Sequence, residues 1–219
     1  MVDGTARKIR VDLHVHSSAS ADCLVEPDQV AARCRSLGLS PVFLTDHETI
    51  DGAVHLWRSD PTGVVVGQEV MTTTGELIGL FLERRVPSRL SPEETVLQIK
   101  AQGGLVYLQH PYDRFRRALS EADIERLADR VDIVEVHNGR SNADANARAL
   151  ELCNMLEAVA GAGSDAHTVD EVGSVYVQME EFGDAQDFLA KLRRATIVRQ
   201  PNRWRLLAEA RLTSLLRRP

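Results

Sequence analysis

The chain has 219 residues, a hydrophobic share of 43% and a formal net charge of −6. That length supports one domain with a sizeable core, and the hydrophobic share is ordinary for a globular protein. The acidic balance argues against a general binder of nucleic acid or of an anionic membrane surface, and no apolar stretch approaches the roughly 20 residues that span a bilayer.

Strand-like and helix-like segments alternate almost throughout. Residues 9–16 read as a strand. In 26–38, Val30, Ala31, Cys34 and Leu37 fall at helical spacing and Gly38 can end the helix. A buried strand is expected at 42–45 and a short helix near 52–57. Segments 64–74 and 76–83 predict a hairpin around Thr74-Gly75. Ser91-Pro92-Glu93-Glu94 combines a capping-box pair with proline at the first helical position, which predicts a helix to about Gln102. Further along come a strand at 105–109, a helix at 120–129, a strand at 132–137 and a long helix at 142–159. A strand at 175–179, a helix at 185–194, a short strand at 197–199 and a helix from about Arg203 complete the chain. Such alternation implies βαβ units and a largely parallel sheet, hence the α/β class. In a closed barrel of such units, functional groups gather at the C-terminal strand ends.

The polar residues that follow the apolar runs are unusual. The first run closes on Asp12-Leu13-His14-Val15-His16, and another leads into Gly163-Ser164-Asp165-Ala166-His167. Side chains two apart on a strand share a face, so His14 pairs with His16 and Asp165 with His167. Asp46-His47, Glu69, His110-Pro111 and His137-Asn138-Gly139 also end strand-like runs. Only His55, beside Leu56-Trp57 on a probable helix, stands apart, and it reads as surface or packing.

The candidate metal ligands are therefore His14, His16, Asp22, His47, Glu69, His110, His137, Asp165 and His167. One tetrahedral zinc needs about four ligands, so the set points to two or three divalent ions. Imidazole and carboxylate without thiolate suit Mn, Fe or Zn. Glu69 and Asp165 can bridge, because a carboxylate has two oxygens to share. Metals so placed lower the pKa of a shared water and take up charge on the oxygens of an in-line displacement. The expectation is hydrolysis of a phosphate ester by attack of metal-bound hydroxide. Arg114, Arg116 and Arg140 follow two of the strand ends and read either as a phosphate clamp or as surface charges. His47 or His167, where not fully engaged as a ligand, is expected to protonate the leaving oxygen. Asp22 reads as a ligand or a turn residue, and Asp46 as a supporting acid. Asp12 reads as orienting an imidazole. Glu135 is expected to share the barrel mouth with His137, which reads as a ligand, a substrate contact or simple packing.

Taken together, Asp12-Leu13-His14-Val15-His16-Ser17, Thr45-Asp46-His47, Gly67-Gln68-Glu69, His110-Pro111 and Gly163-Ser164-Asp165-Ala166-His167 resemble the polymerase-and-histidinol-phosphatase (PHP) superfamily of metal-dependent phosphoesterases. The motifs stand in family order over about residues 9–170, and the tail from about 171 carries none. The resemblance implies a single PHP domain, a distorted (β/α)7 TIM-like barrel with a trinuclear site. It implies one metal on His14, His16, Glu69 and Asp165, a second bridged by Glu69 and bound by His110, and a third on Asp22, His47 and His167. Several members complete the second position with a histidine in the segment after the Glu69 motif; here residues 77–82 contain none.

The expected substrate is a small phosphate ester such as a nucleotide, a short oligonucleotide or a metabolite phosphate, with no membrane and no long nucleic acid as partner. Two other classes stay in view. An amidohydrolase also opens with H-x-H, but often carries a carbamylated lysine bridge, and Lys8, Lys100 and Lys191 follow no strand-like run. A non-catalytic, metal-stabilised module of a larger assembly is the other. Cys23, Cys34 and Cys153 show no C-x-x-C spacing and read as thiols in a reducing compartment. Residues 1–10 show no signal-peptide core. The expected location is cytoplasmic.

Overall fold

A computed structural model describes residues 7–200, and the helix expected from about residue 203 lies outside them. The described elements are β1 (Lys8–Val11), α1 (Pro27–Leu37), β2 (Val42–Leu44), α2 (Asp51–Ser59), β3 (Val64–Met71), β4 (Glu76–Leu80), α3 (Pro92–Lys100), β5 (Leu105–Leu108), α4 (Glu121–Leu127), β6 (Ile133–Asn138), α5 (Ala143–Met155), β7 (Val159–Gly163), β8 (Val175–Glu180), α6 (Ala185–Leu192) and β9 (Thr196–Arg199). The capping signals act as the sequence predicts. Ser91 Oγ accepts from the Glu94 N–H while the Glu94 carboxylate accepts from the Ser91 N–H, and Gly38 ends α1 in the left-handed region. Among the described residues no helix is long and apolar enough to cross a membrane.

Six strands form one sheet in the order β2-β3-β4-β5-β6-β7. The β2/β3, β5/β6 and β6/β7 pairs are parallel, and β4 runs antiparallel to both its neighbours as the second arm of the expected hairpin. The extended segment 12–16 acts as a seventh stave. On one side the Val15 carbonyl accepts from the Thr45 N–H just beyond β2. On the other, Leu13 N–H donates to Ala162 in β7 and His16 N–H to Ala166. The first motif thus closes the sheet into the distorted barrel.

Residues 9–16 are not one strand. β1 pairs antiparallel with β8, which also pairs with β9, and the chain leaves that small sheet at Asp12 to enter the barrel. Asp12 fixes the departure. Its carboxylate accepts from the Ser164 N–H and hydroxyl and from the Gly173 N–H. The barrel interior is filled by Leu13, Phe43, Ile78, Tyr107, Ile133 and their neighbours, and Val175, Val177 and Phe188 join the same cluster from β8 and α6. α5 ends at Met155, short of the expected 159, because Val159–Gly163 is needed as a stave. Small residues suit that stave. A Cβ on Gly163 would stand 2.4 Å from the Cβ of His14.

Candidate metal centre

Four side chains meet at the end of the closing stave, His14 and His16 from the stave, Glu69 from β3 and Asp165 from just beyond β7. His14 Nε2 lies 3.0 Å from His16 Nε2, 3.1 Å from Glu69 Oε2 and 3.7 Å from Asp165 Oδ1. His16 Nε2 lies 3.3 Å from Glu69 Oε2 and 3.5 Å from Asp165 Oδ1. Ligand atoms about 2.1 Å from a tetrahedral metal stand about 3.4 Å apart. These five spacings bracket that value, so both His14 and His16 stand at ligand spacing from each of the two carboxylates.

The imidazoles are held with these nitrogens converging. His14 Nδ1 lies 3.1 Å from Glu135 Oε1, and His16 Nδ1 lies 3.4 Å from the Ser20 hydroxyl. An Nδ1–H so engaged leaves Nε2 free for a metal. Glu135 is itself saturated. Tyr107 OH also donates to Oε1 at 2.9 Å, while the His110 N–H and Asn138 Nδ2 donate to Oε2 at 2.7 and 2.9 Å. Ser20 in turn donates to Asp46, which also accepts from the Ser17 N–H and hydroxyl. Asp46 is therefore a supporting acid, as its direction on the extended chain predicts. The imidazole-orienting role expected of Asp12 falls instead to Glu135.

Electrostatics separate the two buried rings. Burial pushes His14 down, but Glu135 and Glu69 outweigh it and raise the ring to about 9; burial takes His16 down to about 3. Burial also opposes ionisation of Glu69, yet His14, His110 and His16 hold its carboxyl well below the ordinary range. One proton shared among converging lone pairs is what a cation would replace.

Further ligand candidates surround this shell. His110 Nε2 lies 3.2 Å from Glu69 Oε1, which also accepts from Gln109 Nε2. Asp22 Oδ2 lies 3.1 Å from His167 Nε2 and 3.5 Å from His47 Nε2. Donor atoms of His16, His47 and His167 fall within 4.8 Å of one another, as do those of His14, His110 and Asp165. Two of the candidate ligands turn through the left-handed region, His110 at φ 30° and Asp165 at φ 55°. Non-glycine residues there cost of order 1 kcal/mol or more, a strain common at functional sites.

Two expectations are corrected. His137 is not brought to the cluster. A β-bulge lies between Glu135 and His137, which pair with the adjacent residues Gly161 and Ala162, so the extra residue reverses the alternation. Glu135 and Asn138 face the site, while half-buried His137 is lowered by its burial and by Arg199 of β9. Arg114 is exposed and lines no part of the cavity; Arg116 and Arg140 line it instead. Arg116 pairs with Asp165 Oδ2. Arg140 Nη1 lies 2.7 Å from His167 Nδ1 and 3.9 Å from Asp165 Oδ1. Burial and the Arg140 charge push His167 down to about 4. His55 lies at the surface, 3.1 Å from Asp28.

Sequence reasoning missed Glu76. Its side chain faces the cavity from the start of β4, with Oε1 3.8 Å from His47 Nδ1. Burial and the nearby Glu69 charge push its carboxyl up to about 7. The available signal was a carboxylate opening the otherwise apolar run Glu76–Leu80, all of it buried.

A cavity of about 610 Å³ opens over these residues, with Asp22, His47, Glu69, His110, Asp165 and His167 in its wall. Comparisons with known proteins bear on the family and the fold. An uncharacterized protein of Methanocaldococcus jannaschii is 36% identical over 143 residues, 59% of this chain and 84% of the relative. A second uncharacterized protein of that organism is 34% identical over 180 residues, 79% of this chain and 71% of the relative. A crystal structure from Bacteroides vulgatus, described as a two-domain protein containing a predicted PHP-like metal-dependent phosphoesterase, superposes with a TM-score of 0.74. At 16% identity over 89% of this chain and 66% of that one, it shares the fold. A family model described as PHP-associated matches residues 143–197, so family signal extends past the last aligned motif. The model described as PHP domain matches residues 12–125, slightly more than half of the sequence, and with the two relatives this shows that the chain belongs to the PHP domain family.

Proposed function

We propose that this cavity hydrolyses a small phosphate ester, with two or three divalent ions of the Mn, Fe or Zn class as cofactors. The observation that carries the reading is the convergence of His14 and His16 on the carboxylates of Glu69 and Asp165 beside two inward-facing arginines. Ions held there would supply Lewis acidity and an activated water. The protein's own groups do the rest. Arg116 and Arg140 now lean on Asp165 and His167; a phosphate between them would take both guanidinium forks, whose planar donors match its oxygens. His167, neutral in this setting, serves as a ligand, and added positive charge would only depress it further. Proton delivery to the leaving oxygen falls to His47 where its ring, partly exposed toward the cavity, is not engaged as a ligand. A cavity of this size accommodates a nucleotide, a short oligonucleotide end or a metabolite phosphate.

The amidohydrolase reading loses ground. Lys100 pairs with Asp132, Lys191 pairs with Asp187, and neither they nor Lys8 line the cavity, so no lysine is placed to form a carbamate bridge. The three free buried thiols fit a reducing, cytoplasmic setting.

The test is metal content of protein purified without chelators, with hydrolysis of a generic phosphomonoester and a phosphodiester in Mn²⁺. Two or three ions per chain with turnover, both lost in His14→Ala, support the proposal. Bound metal without turnover of either ester favours the non-catalytic module, and no bound metal overturns the reading of the site.

A further inference from the structure

The wall of the cavity holds a second convergence. Glu69 Oε2 lies 3.6 Å from His47 Nδ1, and Glu76 Oε1 lies 3.8 Å from the same nitrogen. Donor atoms of all three fall within 4.8 Å of one another. The Glu76 side chain is 9% exposed, and its carboxylate accepts no hydrogen bond among the described residues. A carboxylate so buried ordinarily has a partner. Its backbone is pinned, since the Glu76 N–H donates to the Arg117 carbonyl and Thr72 closes the preceding turn on Gly75. Glu76 is thus aimed at the cavity by a rigid hairpin; His47 and Arg117, in the same wall, are the nearby cationic groups, and neither hydrogen-bonds its carboxylate.

We propose that Glu76, Glu69 and Nδ1 of His47 form a carboxylate-rich cation position nearer the cavity mouth. Two carboxylates and one imidazole favour a harder ion of the Mn²⁺ class, whereas the shell around His14 and His16 is richer in nitrogen and suits Zn or Fe. His47 can serve this position through Nδ1 or the Asp22 side through Nε2, so its ring is where the two compete.

The inference rests on the reading of the cluster as a metal centre, and the experiment separates the two. Chelator-stripped full chain is dialysed against graded Mn²⁺ and, separately, Zn²⁺, and bound metal is counted. Glu76→Gln keeps size and removes charge. It is expected to lose one Mn²⁺ equivalent, or weaken it by about tenfold or more, while the tightest Zn²⁺ equivalent is unchanged. Glu76→His is expected to restore the lost equivalent with its preference moved from Mn²⁺ toward Zn²⁺. Wild-type Mn²⁺ number and affinity in Glu76→Gln overturns the inference and leaves the metal centre standing. Should Glu76→Gln fold poorly, a folded Glu76→His with unaltered Mn²⁺/Zn²⁺ preference overturns it equally. Wild-type protein that binds neither ion overturns both.

Discussion

Glu135→Gln isolates the part of the site that no ligand list contains. The carboxylate accepts four donors, two on each oxygen: His14 Nδ1 and Tyr107 OH on Oε1, the His110 N–H and Asn138 Nδ2 on Oε2. An amide has one oxygen and must turn its NH₂ to one pair. The Oε2 side cannot adapt. The His110 donor is backbone, and Asn138 cannot flip, because its Oδ1 accepts from the Arg140 and Ser141 N–H groups. The Oε1 side can adapt. Tyr107 rotates its hydroxyl to accept, and His14 keeps its proton on Nε2 so that Nδ1 accepts. The variant therefore folds, but where the wild-type ring, raised to about 9, carries a proton on both nitrogens, the variant ring keeps only the one facing Glu69 and His16. Binding a metal there forces Nδ1–H against the amide NH₂, at a cost of one unmade buried hydrogen bond, about 1–3 kcal/mol. That is a loss of roughly 5- to 150-fold in affinity, matching the range for groups that orient metal-bound histidines. Competitive titration with a chelator of known affinity reads the loss, and the ¹⁵N shifts of His14 read the tautomer. A folded Glu135→Gln with wild-type affinity would refute the reasoning.

Other outcomes are equally specific. His14 is raised from 6.5 to about 9 in the fold, so in chelator-stripped protein its contribution to stability is complete below about 6.5 and fades as pH rises through 9; denaturant melts at pH 6.5, 7.5 and 9 should show that decline, and metal uptake near pH 7.5 should release about one proton from this ring. Gly163→Ala places a Cβ 2.4 Å from the Cβ and 2.7 Å from the N of His14. Carbons pack at about 3.5–4.0 Å, so the staves must part by about 1 Å, at about 1–3 kcal/mol; a variant that melts with the wild type and binds metal as tightly contradicts the close approach. Arg116→Ala should raise KM for a phosphate ester at least about tenfold, as expected for a bidentate charged contact, whereas Arg114→Ala leaves KM unchanged, and steady-state kinetics on the two variants decide between the arginines.

The ligand motifs were legible because each lies at the end of an apolar run. His14 with His16 follows from alternation on extended backbone alone, whereas His110 and Asp165 turn through the left-handed region, which alternation does not announce. The hairpin at Thr74-Gly75 and the capped start of α3 were written in local turn and cap chemistry. Alternation misled at His137, since one bulge reverses every side chain beyond it and nothing in Glu135-Val136-His137 announces the extra residue. The arginines sit in an irregular turn after His110, where no period says which of Arg114 and Arg116 faces inward. Glu135 and Glu76 were passed over for a different reason. Their importance lies in what surrounds them, four donors in one case and a cavity wall shared with Glu69 and His47 in the other, and neither environment is local in sequence. Strand β1 was joined to the closing stave because the side-chain pattern continues through Asp12, although the hydrogen-bonding partners change there.

The closing stave has a consequence in time as well as in space. His14 and His16 are synthesised some 150 positions before Asp165, whose carboxylate reaches them only across the β7 seam. Until the ribosome has released Ala162, Asp165 and Ala166, residues 12–16 lack both the backbone partners and the carboxylate on that side. The nascent chain therefore carries an unsealed half-shell while the intervening residues are made, and metal capture is coupled to a long-range closure of the barrel. Contacts of such separation form slowly, which makes the late arrival of the second half, rather than the assembly of the first, the step that decides when the centre can load.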